Sequence, residues 1–268
     1  MSGDEAILLF LSGYIALRCW YWWYTPLIAV QRLDALTPTA GSVLLGGGPL
    51  ITMVLLAAML RTAAAEDVRD SATYIILYLV LGAAWSGALM RLLPFAGFNP
   101  TEDTVERGNG AAAPMAIGAL LGCTLCYAGA NVGNGPGWWV VVFSAGLATA
   151  TLAVLWLVFD QLTGIADSIT VERDRTASWR FGGLLTAGGL VLGRCVAGNW
   201  VSAAATARDF AVLAWPVLLL FAVASGVERI ARPSPTQPNP SVVGWGLLPA
   251  VVYVTSALLY AVALGRPA

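Results

Sequence analysis

Cys123 and Cys126 form a C-x-x-C pair, a spacing that elsewhere serves dithiol redox chemistry, zinc ligation or haem attachment. Here Tyr127 follows the second cysteine, so the haem-attachment pattern fails, and no second pair or histidine completes a zinc set. Cys19 and Cys195 also sit inside apolar runs, so all four thiols read as small packing residues. Histidine is absent from all 268 residues. That removes the commonest metal ligand, the usual haem ligand and the usual general base near neutral pH. No G-x-S-x-G elbow, P-loop or H-E-x-x-H is present. The glycine-rich Gly133-Asn134-Gly135-Pro136-Gly137 has no strand–turn–helix frame and reads as a tight external turn. These features favour neither an enzyme nor a cofactor or metal protein.

The charged residues that remain mark boundaries. Glu102, Asp103, Glu106 and Arg107 fall within six positions, followed by Gly108-Asn109 and the small run Gly110 to Ala113. Asn109 suits a helix N-cap, and acids before it favour the positive end of a helix dipole. Glu106, Arg107, Gly108 and Asn109 therefore form a candidate helix-start motif. Gly118 with Gly122, and Gly189 with Gly193, are G-x-x-x-G pairs. In lipid such pairs let helix backbones touch. Arg194 is the ionisable residue most clearly inside an apolar run. Charge at membrane depth costs about 2.5–3.5 kcal/mol, which makes Arg194 a functional candidate. Snorkelling to the outer boundary is the competing reading. Arg18 is placed with its guanidinium on the nearby aromatic cluster, Asp160 at the end of the fifth span, and Asp209 in the first turn of the seventh. With no carboxylate or histidine at the midplane, a proton- or sodium-coupled transporter is disfavoured.

The elements that must position these residues follow from composition. The chain is 58% apolar and 11% charged, against roughly 25% charged in soluble domains, and its mean hydropathy is +0.76. So little charge cannot cover a water-facing surface, and the partner implied is the lipid bilayer. A net charge of −1 gives no electrostatic case for nucleic acid. Apolar runs of spanning length fall near 5–24, 42–60, 72–93, 110–131, 138–159, 179–200, 209–227 and 242–264. The fold class is an all-α polytopic membrane protein of about eight transmembrane helices in four hairpins. Gly46-Gly47-Gly48-Pro49 make the second run a candidate broken or re-entrant segment. The acidic start MSGDEAILLF reads as a retained span rather than a signal peptide. Trp20 to Tyr24 and Trp138-Trp139 read as anchors at the membrane–water boundary.

Loop arginines give an orientation. Arg32, Arg91, Arg107, Arg173, Arg175, Arg180, Arg229 and Arg232 fall on one side, and Arg61, Arg69, Arg208 and Arg266 on the other. Eight against four makes the first side cytoplasmic and puts both termini outside. The long loops 25–41, 94–109, 160–178 and 228–241 all lie on the arginine-rich side. The proline-rich PSPTQPNP (233–240) is expected to be stiff and extended.

Glu106–Arg107 and Glu172–Arg173 align at a spacing of 66, with Ala111 over Ala177 and Gly122 over Gly188, which suggests a degenerate duplication of a two-span unit. ERGNGAAA (106–113) resembles the YjfL-like bacterial inner-membrane family, catalogued as domain of unknown function 350. That resemblance covers about residues 72–200 and implies two tandem two-span units and a bacterial inner-membrane location. It implies no established activity. The second loop departs from it, with Asp174-Arg175 in place of Gly-Asn. The division expected is an N-terminal hairpin (1–71), the tandem four-span unit (72–204) and a C-terminal hairpin (205–268). Function reads as a non-enzymatic membrane subunit packed in a homo-oligomer or a larger complex. The alternative is a passive ion or small-solute channel or uncoupled carrier.

Overall fold

A computed structural model describes residues 1–32, 40–233 and 240–265. The described chain is a helical bundle: α1 (Gly3–Arg32), α2 (Ala40–Thr62), the one-turn α3 (Glu66–Arg69), α4 (Ala72–Leu92), α5 (Ala113–Ala130), α6 (Trp138–Thr163), the short α7 (Ile165–Thr170), α8 (Arg175–Val196), α9 (Ala203–Leu213), α10 (Trp215–Ala231) and α11 (Leu248–Ala263). A 3-10 turn (Leu93–Ala96) extends α4, and π-helical turns occupy Glu102–Glu106 and Val242–Leu247. The proline-rich loop beyond Pro233 and Arg266 lie outside the described residues.

About 20 residues of helix cross a bilayer's hydrocarbon core. Among the described residues, seven segments meet this in length and apolarity: Gly3–Ala29, Ala40–Thr62, Ala72–Ala96, Ala113–Ala130, Trp138–Thr163, Ala203–Ala231 and Val242–Ala263. The eighth expected span is α8. It is long enough at 22 residues, but Arg175, Arg180 and Arg194 dilute its apolarity. Other helices wrap it instead of lipid, and most of its residues are buried. In α5, 72% of the spanning window is enclosed, against 22% in α1. The centre of the bundle is therefore α5 and α8, with α1 at the rim.

Residue chemistry explains why α2 does not break. Pro49 has no N–H to give the Leu45 carbonyl one turn earlier, and an unpaired carbonyl in lipid is costly. Trp23 Nε1 donates to that Leu45 oxygen at 3.1 Å, and Tyr24 Oη donates to the Gly46 carbonyl at 3.0 Å. The helix thus continues through Gly46-Gly47-Gly48-Pro49. This corrects two expectations. The segment is neither broken nor re-entrant, and Trp23 is fully buried between helices rather than anchored at a boundary. α1 also runs two turns past the aromatic cluster, through Pro26, to Arg32.

The seventh span starts at Ala203, where the Ser202 hydroxyl accepts from Ala205 N, so Asp209 lies in the second turn of α9 and not at its start. The helix breaks at Ala214 before Pro216, and the Leu213 carbonyl accepts from Tyr260 Oη at 2.6 Å, tying α11 to the break.

Trp138 Nε1 donates to Asp4 at 3.3 Å, Gly198 N to the Val132 carbonyl at 2.9 Å, and Arg194 Nη2 to the Gly265 carbonyl at 2.7 Å. These contacts gather the start of α1, the start of α6 and the ends of α5, α8 and α11 on one face. Both described ends of the chain lie there, opposite the loops that carry Arg107 and Arg173.

Candidate functional site

Two loops meet on the arginine-rich face, and they share a backbone plan at a register of 65 residues. Arg107 N bonds the Glu102 carbonyl and Asn109 N that of Asp103; Glu172 N bonds the Asp167 carbonyl and Asp174 N that of Ser168. Gly108 has φ +60° and Arg173 has φ +58°. Asn109 Oδ1 accepts from Ala111 N at 3.1 Å, and Asp174 Oδ1 from Thr176 N at 2.7 Å. On the other face Gly133 and Gly198, again 65 apart, both have positive φ.

The expected spacing of 66 is thus corrected by one residue. The pair standing where the first loop has Gly-Asn is Arg173-Asp174. Asp174 supplies the same side-chain acceptor as Asn109. Arg173 accepts a left-handed conformation that costs an L-residue roughly 1–2 kcal/mol, and its guanidinium donates to the Arg107 carbonyl at 3.2 Å.

The helix-start motif does a different job from the one its sequence suggests. Asn109 precedes α5 by a turn, and Ala112 is the N-cap, with no side-chain cap bond. Asn109 is buried, and its Nδ2 donates to the Ile169 carbonyl at 2.8 Å, joining the two loops. Glu102 and Asp103 do not serve the α5 dipole: Arg107 pairs with both, at 2.7 and 3.2 Å. Asp103 is almost buried, and its carboxylate also accepts from Asn99 N at 2.8 Å. Burial pushes its carboxyl above the usual value, while the Asn99 bond and Arg107 pull the other way. Glu106 is exposed.

Behind these loops α5 and α8 run parallel, from Met115 N on the Ser178 hydroxyl at 3.0 Å to Gly129 against Gly193 at the far end. A Cβ on Gly118 would overlap the Gly182 backbone; on Gly122, the Leu185 carbonyl; on Gly189, the Gly122 backbone; and on Gly193, the Leu125 carbonyl. All four glycines singled out by their spacing therefore sit on this one seam. Gly129 and Gly182 share it but fall outside the two G-x-x-x-G pairs, so spacing alone missed them. The thiol of Cys126 faces the Gly189 carbonyl at 3.8 Å, and the described cysteines are free.

The largest departure from expectation is Arg180. Counted above as a loop residue, it lies in α8 and is 2% exposed. Its Nε and Nη2 each donate to Glu228 at 2.8 Å, and its Nη1 donates to the Trp245 carbonyl at 2.7 Å. This buried fork clamps α10 and the start of the last span onto α8. The available signal was the N-cap Asp174: a helix starting at Arg175 puts Arg180 inside its second turn. Arg194, in contrast, bonds the Leu264 and Gly265 carbonyls at 3.2 and 2.7 Å. It neutralises the negative end of α11. Asp160 Oδ1 accepts from Ala166 N at 2.8 Å, holding the turn after α6.

Arg91, not Arg18, stacks on the aromatic cluster, 4.8 Å above the Trp22 ring. Arg18 is exposed on α1, and among the described residues it has no ion-pair or hydrogen-bond partner. Its neighbour Cys19 touches Gly87, which places Arg18 near the middle of the span formed by α4.

Comparison with curated proteins finds no match, and neither does comparison with solved structures. A family model does match residues 65–196, from α3 to the last residue of α8, and so takes in both loops and the whole seam. Through these residues, about half its length, the chain belongs to the family described as Domain of Unknown Function (DUF350).

Proposed function

We propose that this protein is a non-enzymatic subunit of the bacterial inner membrane that packs in a homo-oligomer or a larger membrane complex. In this reading the arginine-rich face is cytoplasmic and both chain ends are outside. The observation that carries it is Arg18. A charge presented outward near the middle of a spanning helix costs about 2.5–3.5 kcal/mol in lipid. A polar or acidic group on a neighbouring chain removes that cost. Tyr14 and Tyr21, one turn to either side, are 62% and 74% exposed and extend the same stripe of α1. The interior supports the reading too. α5 and α8 meet backbone to backbone, and Arg180 is neutralised by Glu228, so the centre is built for contact rather than passage.

The test is a photo-crosslinking residue at position 21 in native membranes, beside a flux assay of the purified protein in liposomes. The expected result is a protein adduct from position 21 and no ion or solute flux above empty liposomes. Adducts to lipid alone, with clear flux, would favour the channel.

A further inference from the structure

A groove follows the α5–α8 seam between α2 and α11. Near the arginine-rich face it is a recess of about 280 Å³ lined by Gly41, Gly108, Gly110 and Arg175. Deeper, it becomes an apolar trough of about 310 Å³ lined by Gly118, Leu121, Gly183, Thr186 and Val254. Leu44, Pro114 and Trp179 line both parts, so the two adjoin. Among its described lining residues the mouth carries one exposed guanidinium, that of Arg175. Among the described residues no carboxylate pairs with Arg175, and its neighbour Asp174 is already occupied by Thr176 and Ala177. The trough opens sideways along the spanning surface, where Val251 is 59% exposed.

We propose that this groove binds one anionic phospholipid, with its phosphate on Arg175 and an acyl chain over Gly118 and Gly183. The two halves of the groove match the two halves of that molecule. A lone cation at the membrane boundary favours a negative headgroup, and an apolar trough continuous with the lipid-facing surface favours the chain. Neither half alone selects it: a soluble anion gains nothing from the trough, and a zwitterionic lipid gains less from Arg175. Gly118 and Gly183 line the trough with bare backbone, because a Cβ at 118 would run into the Gly182 backbone and one at 183 into Ala250. This site does not depend on the subunit reading above, since it lies on α2, α5, α8 and α11 and not on α1.

The experiment is native mass spectrometry of the full-length protein in mild detergent with equal amounts of phosphatidylglycerol and phosphatidylcholine. Wild type is expected to retain phosphatidylglycerol in preference. Arg175→Gln is expected to lose about fivefold of that preference, the usual weight of one arginine near an anionic surface. Thr186→Phe, which fills the trough, is expected to lower retention of both lipids. Circular dichroism of each variant should match wild type. Equal retention of the two lipids by wild type, or an unchanged preference in Arg175→Gln, would overturn the proposal. So would displacement of phosphatidylglycerol by millimolar inorganic phosphate. Efficient intermolecular cross-linking of Thr186→Cys would assign the groove to a second copy instead and would also overturn it.

Discussion

Arg180 and Glu228 are the residues whose chemistry is most constrained. Each is sealed from water, and each satisfies the other through two 2.8 Å bonds. Removing one partner strands the other as a buried charge, so Glu228→Gln or Arg180→Met should cost about 3–5 kcal/mol in thermal unfolding in detergent. The double change Arg180→Met with Glu228→Leu should recover most of that, because neither charge is then left behind. Asp103 makes a second case. Its carboxyl is raised above the ordinary value of 3.8 by burial. Folding therefore favours its protonated form, and its contribution is full below the unfolded value and lost as pH rises through the folded one. Asp103→Asn should remove that loss. Unfolding scans at pH 4 and pH 7 should show the variant gaining on wild type as pH rises; a variant that falls behind at pH 7 would contradict the assignment. Neither buried group was legible in the sequence. Arg180 sits five residues from Arg175 in a charge-rich stretch, and nothing local says that Glu228, 48 positions away, will meet it.

At the scale of elements, more could be read in advance. Spanning runs are set by apolar composition, and the described helices follow them. The G-x-x-x-G pairs marked faces that touch, though not their mate: spacing shows that a backbone is bare, and only the assembled bundle shows which helix uses it. The duplication was visible through its charges but one residue out of register, because the Glu-Arg likeness competed with backbone geometry and geometry sets the true alignment. Within the aromatic cluster Trp23 was misread, because an indole suits a boundary as well as a buried carbonyl; Pro49, 26 residues later, decides between them. Two outcomes follow. Trp23→Phe should cost about 1–3 kcal/mol by leaving the Leu45 carbonyl unsatisfied. The cost should shrink in a Pro49→Ala background, where the helix regains the N–H. On the seam, Gly129→Ala places a methyl into the Gly193 carbonyl and should cost about 1–3 kcal/mol. Gly47→Ala meets open space and should gain about 1 kcal/mol from helix propensity.

The whole molecule has a tight centre and a charged edge. α5 and α8 are closed on each other and clamped by α10 and α11. α1 is fixed mainly to α4 and turns Arg18 outward. A centre built for contact, and a rim charge with no partner among the described residues, support the proposal of a part of something larger. The most direct measurement is the native mass of the full-length protein purified in mild detergent, for wild type and Arg18→Leu. The expected result is a wild-type particle well above the 28.0 kDa of one chain, as a multiple of it or with a second polypeptide, and a shift toward the single chain in Arg18→Leu. A wild-type particle of one unaccompanied chain would contradict the account.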